Sequence, residues 1–308
     1  MTLYPLYKYI FGEWLNQSDQ KISLIGASAG AWSMASAAQS KPLEAFEKYL
    51  KGYAEQKYPD APSPKEISEK CNGIIAGLLG VNGIEEILNA ERFNLNVITS
   101  PSTFSYHPKS LKRKLFTAAS WNLISRKNIG KYFERNVFSV DSADLIEEDN
   151  IPTDIISLTT GNIRSALLAS GAIPTIIDPI TINNKIHWDG GITDYHLDLK
   201  YKLEDGIVLY PHFHKEIIPG WLDKYLKLRK AKPQNHDRTV LIYPSDSFIK
   251  SLPTQTIPTR DDFTTYFQKD EERIKLWYEI VERCEELAQE FKSLENKPID
   301  SKLIEGFH

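Results

Sequence analysis

Ile22-Ser23-Leu24-Ile25-Gly26-Ala27-Ser28-Ala29-Gly30-Ala31-Trp32 passes from an apolar run through a Gly-x-Ser-x-Gly turn into an alanine-rich stretch. That order predicts strand, tight turn, helix, the setting of a nucleophile elbow on an early strand. A serine on such a turn needs small neighbours so that the backbone can pass the adjoining chain, and Gly26, Ala27, Ala29 and Gly30 are all small. The turn leaves Ser28 at a helix N-terminus, where unpaired amides and the helix dipole favour developing negative charge. The amide of Ala29 is then the first candidate oxyanion donor. Taken alone, the pattern is equally an ordinary packed turn with Ser28 as an N-cap. Chemistry therefore requires a partner residue elsewhere in the chain.

Working outward, short apolar runs alternate with helical stretches, which predicts an α/β fold. Strands are expected at 22–25, 96–99, 137–140, 181–188, 206–211 and 239–243. Helices are expected at 29–38, 64–79, 84–90, 161–170 and 221–230, with a long one from 261 to about 294 and a first one around 6–15. The long helix carries Phe267, Ile274, Trp277, Val281, Cys284, Leu287 and Phe291 at helical spacing, which predicts packing on a sheet. Neither proline-containing stretch, 58–64 or 251–258, separates segments of different composition, so both read as loops. The expectation is one domain over 1–308 with its core at about 20–200.

Composition excludes several classes. With 41% hydrophobic and 25% charged residues the chain is ordinary globular material. A net charge of −4 gives no footprint for a polyanion, so no nucleic-acid partner is expected. Cys71 and Cys284 belong to no Cys/His cluster, so no metal or cofactor is expected and a reducing, cytoplasmic setting is. No apolar run is long enough to span a bilayer, and residues 1–10 lack signal-peptide order. Charge is nonetheless segregated. Residues 107–135 hold eight Lys or Arg and one Glu, whereas 261–308 hold thirteen acids and seven bases.

The partner for Ser28 is sought in Lys185-Ile186-His187-Trp188-Asp189-Gly190-Gly191-Ile192. An apolar strand ends there in an acid followed by two glycines, which let the chain turn sharply and bring a short carboxylate against another element. Desolvation in a cleft raises a carboxyl pKa, so Asp189 is the candidate base for the Ser28 hydroxyl. Asp-Gly alone is only a turn signal. The combination is more specific. Gly26 to Gly30, then Asn162-Ile163-Arg164-Ser165-Ala166-Leu167-Leu168-Ala169-Ser170-Gly171-Ala172-Ile173-Pro174, then the box Asp189-Gly190-Gly191 together resemble the patatin-like phospholipases. The resemblance implies a three-layer α/β/α sandwich, a Ser28–Asp189 dyad without histidine, and hydrolysis of fatty acyl esters without calcium.

One family element is not seen. A strand and glycine-rich loop normally precede the nucleophile, and residues 4–16 contain a single glycine, Gly12. The expectation is that the chain starts downstream of that loop, or is an impaired relative that binds lipid or a protein partner, or draws oxyanion amides from elsewhere. The nucleophile strand is then expected to lack one neighbour. The glycines at 77, 80 and 83 read as a helix end and turn. His187 shares the Asp189 face and reads as a structural residue; His196, His212 and His214 read as non-metal. Arg164 reads as a solvated or paired side chain. Lys109, Lys112, Arg113, Lys114, Arg126, Lys127, Lys131 and Arg135, interleaved with Phe116, Trp121 and Tyr132, read either as an ordinary helix with a solvated cationic face or as a peripheral contact with an anionic lipid surface. A second such stretch is Trp221, Leu222, Tyr225 and Leu226 beside Lys224, Lys227, Arg229 and Lys230.

Overall fold

The computed structural model describes residues 1–295 and residue 306. Residues 296–305 and 307–308, which the single-domain reading of 1–308 includes, lie outside the described residues. Strands β1 (Ile22–Ala27), β2 (Phe93–Ser102), β3 (Arg135–Ser139), β4 (Thr153–Ser157), β5 (Ile180–Ile182) and β6 (Lys185–Asp189) form one mixed sheet. β7 (Val208–Pro211) and β8 (Thr239–Ile242) form a separate parallel pair.

The ten residues of β2 organise the sheet. β3 pairs along one edge of β2 at 96–99. The other edge is shared end to end. β1 runs parallel along it until Ala27 stands opposite Ile98, and β6 comes antiparallel from the far end until Asp189 stands opposite Thr99. Among the described residues β2 is the sole strand partner of β1, so the strand that leads into Ser28 has one unladdered edge.

Alternation along the strands builds the layers. Leu95 and Val97 of β2 and Phe138 of β3 join a core with the helices Ala29–Ala37, Pro64–Leu79 and Ile163–Ser170. On the opposite face Ile98 and Val137 meet Ile146 and Leu199, while Trp188 and Ile192 meet Leu111 and Ala118 of the helix Pro108–Ile124. The result is the α/β architecture expected, a mixed sheet flanked by helices on both sides.

Several elements differ from expectation. The run 181–188 is a hairpin rather than one strand, because Asn183 and Asn184 both take positive φ (50° and 61°) and turn the chain between β5 and β6. β4 has no counterpart among the expected strands; four of its five residues are exposed, so it lacks the apolar alternation that marks a strand. The helix Pro42–Ala54 is likewise additional, the basic stretch opens with the helix Pro108–Ile124, and the first helix is Tyr4–Tyr9 followed by a π-helical turn. Residues 221–230 hold only a short 3-10 turn, Trp221–Asp223.

The long helix is broken into Asp262–Thr265, Asp270–Arg283 and Glu285–Leu294. It packs on helices, not on the sheet: Phe291 meets Tyr9 and Trp14 edge-on. Phe267, placed on the apolar stripe by its spacing, is exposed. Arg273 lies buried between the rings of Phe263 and Trp277 and donates to Ala54 O and Gln56 O, carbonyls at the end of the helix Pro42–Ala54. Arg135, expected among the lipid-facing cations, is fully buried and paired with Asp194 and Asp149. Its place on a central strand overrides the local run of charge.

Candidate active site

The register of β2 brings Ser28 and Asp189 together. Ile98 and Thr99 are consecutive, so the C-terminal ends of β1 and β6 converge on one point of the same edge. Ser28 Oγ donates to Asp189 Oδ2 at 2.8 Å across 161 residues of sequence. The second carboxylate oxygen, Oδ1, accepts from the Gly191 amide at 2.7 Å.

Ser28 has φ 53° and ψ −131°, a conformation that L-residues rarely adopt and that costs on the order of 1–3 kcal/mol. Its amide is not available to a ligand, because it donates to Ser170 Oγ at 2.9 Å. Ser170 in turn donates to Ile98 O at 2.6 Å, tying the elbow to the helix Ile163–Ser170 and to β2. The first helical amides, Ala29 and Gly30, have no acceptor within the helix by construction. Ala29 is exposed, Ser28 and Gly30 partly so, while Asp189 is buried. The pair is thus a buried carboxylate under a serine that reaches solvent.

Each glycine has its own reason. A Cβ on Gly26 would stand 2.6 Å from Ala31 N and from the Gly30 carbonyl carbon; one on Gly190 would stand 2.3 Å from Ile98 O. Gly190 must be bare because it lies against the Ile98 carbonyl of β2, with Ala27 Cβ at the tip of β1 also within 3.1 Å. Gly191 is constrained by the carboxylate, since its Cβ would lie 2.9 Å from Asp189 Oδ1. Gly30 meets nothing within 4 Å, so the steric need for small flanking residues does not extend to it. The contrast gives a stability prediction. Gly26→Ala should destabilise by about 1–3 kcal/mol or more through forced backbone movement. Gly30→Ala should be neutral, or stabilising by up to about 1 kcal/mol. Thermal melts of the two variants check it, and equal losses would contradict the packing described.

Burial pushes the Asp189 carboxyl up to about 6, opposed by the Gly191 amide, the Ser28 hydroxyl and the positive charge of Arg260. Nothing in the sequence singles out Arg260. It precedes the short helix Asp262–Thr265, which a ladder of rings ties to the elbow: Trp32 against Tyr49, Tyr49 against Tyr53, Tyr53 against Phe263. The Tyr49 hydroxyl reaches Ala29 O at 3.4 Å. No motif signals these tertiary neighbours. Ser170, by contrast, lies inside the Ala-Ser-Gly-Ala-Ile-Pro segment that carries the resemblance.

His187 is buried with Nδ1 2.9 Å from Thr99 Oγ1, and burial pushes its pKa down to about 4. His196 and His212 pack edge to face at 4.3 Å, and burial pushes them down to about 2 and about 4. The His212 and His214 rings each lie against backbone groups two residues on. Among the described residues no group of three or more His, Cys, Asp or Glu is arranged to hold a metal ion. Arg164 donates to Asn72 Oδ1 at 3.1 Å. No helix among the described residues is long and apolar enough to cross a membrane.

No curated protein matches the chain significantly. The family model for patatin-like phospholipase matches residues 23–196, a span that contains both strand ends, Ser28, Ser170 and Asp189. That match covers more than half of the chain, which therefore belongs to the patatin-like phospholipase family.

Proposed function

We propose that the chain is a serine lipid acyl hydrolase in which Ser28 is the nucleophile and Asp189 its base. The observation that carries the reading is the 2.8 Å hydrogen bond from a strained, solvent-reaching serine to a buried carboxylate whose other partner is a backbone amide. In the proposed reaction Asp189 takes the Oγ proton as Oγ attacks the acyl carbonyl carbon. Collapse of the tetrahedral intermediate breaks the ester C–O bond, and the proton passes from Asp189 to the departing alcohol. Water, deprotonated by Asp189, then attacks the acyl-enzyme, and the fatty acid leaves as Ser28 regains its proton.

The amide of Ala29, with that of Gly30 beside it, is suited to receive the oxyanion. A carboxyl near 6 is mostly ionised at neutral pH yet far more basic than an ordinary aspartate, which favours proton abstraction. The reading includes one domain working at a lipid surface, without metal or cofactor, in the cytoplasm; Cys71 and Cys284 are buried free thiols, which suits a reducing compartment.

A fluorophosphonate probe tests the nucleophile. The full chain should be labelled at Ser28, and Ser28→Ala should abolish labelling. Absence of Ser28-dependent labelling would overturn the hydrolase reading in favour of an impaired relative that binds lipid or a protein partner through the same cleft.

A further inference from the structure

The helix Pro108–Ile124 presents an apolar end that the protein does not cover. Phe116, Leu123 and Ile124 are 74%, 60% and 73% exposed. Beside them the loop after the turn Trp221–Asp223 holds out Tyr225 and Leu228 at 89% and 99%. The two segments form one fixed face. Arg229 donates to Asn122 O at 2.8 Å, Asn122 Nδ2 donates to Asp223 Oδ1 at 2.6 Å, and Arg126 reaches Asp223 at 3.2 Å.

The charges around these apolar tips have one sign. Residues 107–131 carry seven Lys or Arg and no acid, and residues 219–232 carry five with one acid, Asp223. That acid is buried and held by Asn122 and Arg126, so it shows no negative charge at the surface. Lys112, Arg113, Lys127, Lys224, Lys227 and Lys230 are exposed. The whole chain is net negative at −4, so this cationic face is a local construction.

We propose that the face made by the end of the helix Pro108–Ile124 and the 223–230 loop docks the protein on an anionic lipid bilayer. The proposal rests on the acyl-hydrolase reading only for the reason a bilayer is the substrate's home. Fully exposed Leu and Tyr at loop and helix tips, ringed by lysines, fit the boundary of headgroups and acyl chains. A second copy docked through the same face fits poorly, because it would set cation against cation. A nucleic acid would match the charge but offers nothing to Leu228, Leu123 and Ile124. The face is also wired to the candidate site: Arg126 donates to Thr193 O, in the helix Gly191–Asp194 that begins two residues after Asp189.

The test uses the full chain carrying Ser28→Ala, so that vesicles are not consumed. Flotation should recover it with phosphatidylcholine vesicles containing phosphatidylglycerol, far less with phosphatidylcholine alone, and less as salt rises. Lys224→Gln with Lys227→Gln should weaken binding by about 25-fold, roughly fivefold per lysine. Tyr225→Ser with Leu228→Ser, changes at sites too exposed to affect folding, should weaken it at every salt concentration. No flotation, equal flotation with both vesicle types, or binding indifferent to these substitutions would overturn the proposal. So would a solution dimer, or capture of single-stranded DNA, that the same substitutions abolish while flotation persists. Failure here leaves Ser28 labelling untouched, and failure of labelling leaves vesicle binding untouched.

Discussion

In the Asp189→Asn variant, acyl-ester turnover at neutral pH is expected to fall by about 10²–10⁴-fold, the contribution of a positioned general base, while resistance to heat increases. The two effects have one cause. The Asp189 carboxyl is raised from 3.8 to about 6 chiefly by burial. A carboxyl whose folded pKa lies above its unfolded value contributes stability below the unfolded pKa and loses it as pH rises through the folded one. Between about pH 4 and 6 the native state therefore becomes progressively less stable, and at neutral pH it carries a charge it would hold more easily as a neutral group. Asparagine removes that charge, keeps an oxygen for the Gly191 amide and offers an amide to Ser28 Oγ. The gain is roughly 3 kcal/mol at most, since each tenfold change in proton affinity is worth about 1.4 kcal/mol. Activity of the unaltered protein should rise with pH through about 6 as the base ionises. Arg260→Gln should move that rise to higher pH, because the guanidinium favours the ionised carboxylate. A pH–rate profile with thermal melts decides it: retained turnover would assign the base elsewhere, and a lowered melting temperature would contradict the buried-charge account.

Arg135→Ala is expected to destabilise the fold by about 3–5 kcal/mol, the cost of leaving the buried Asp194 carboxylate without its closest cation. Arg135 Nε and Nη2 donate to the two oxygens of Asp194 at 2.7 and 2.8 Å, and Nη1 and Nη2 reach Asp149 at 3.2 and 2.9 Å. Asp194 is almost fully buried. A fall in melting temperature on the order of 10 °C follows for a chain of this size. Pairing Arg135→Met with Asp194→Asn should recover part of the loss, because the buried group that has lost its cation is then neutral. Denaturant melts of the single and double variants measure it; strict additivity would show that the pair is not coupled. Because Asp194 closes the helix that starts at Gly191, the single variant should also loosen the turn that follows Asp189 at the end of β6.

Legible in the sequence is what local chemistry dictates. The elbow around Ser28 and the turn at Gly190 are written in small residues beside apolar runs, and the 64–79 helix carries its own capping box, with Ser63 and Glu66 exchanging hydrogen bonds. What escapes is decided by tertiary contact. The exposed strand β4 has no inward face of its own, and residues 221–230 have helical periodicity but fold into turns around the buried Asp223. Arg135 sits within a basic run yet belongs to the core. Arg260 reaches the Asp189 neighbourhood through rings that meet edge to face from Trp32 to Phe263.

The shared edge of β2 makes the candidate site a proofreader of its own assembly. Ser28 and Asp189 are each fixed by counting residues along the same strand, one from below Ile98 and one from above Thr99. A slip of one residue in β6 would move Asp189 by about 3.3 Å. It would also turn the carboxylate to the opposite face of the sheet, where Trp188 now packs, and bring a bulky side chain toward the serine. A misregistered chain could then keep its helices, its hydrophobic layers and much of its hydrogen bonding while presenting Ser28 without the carboxylate proposed as its base. Labelling of Ser28 would report the fidelity of strand alignment as directly as it reports chemistry.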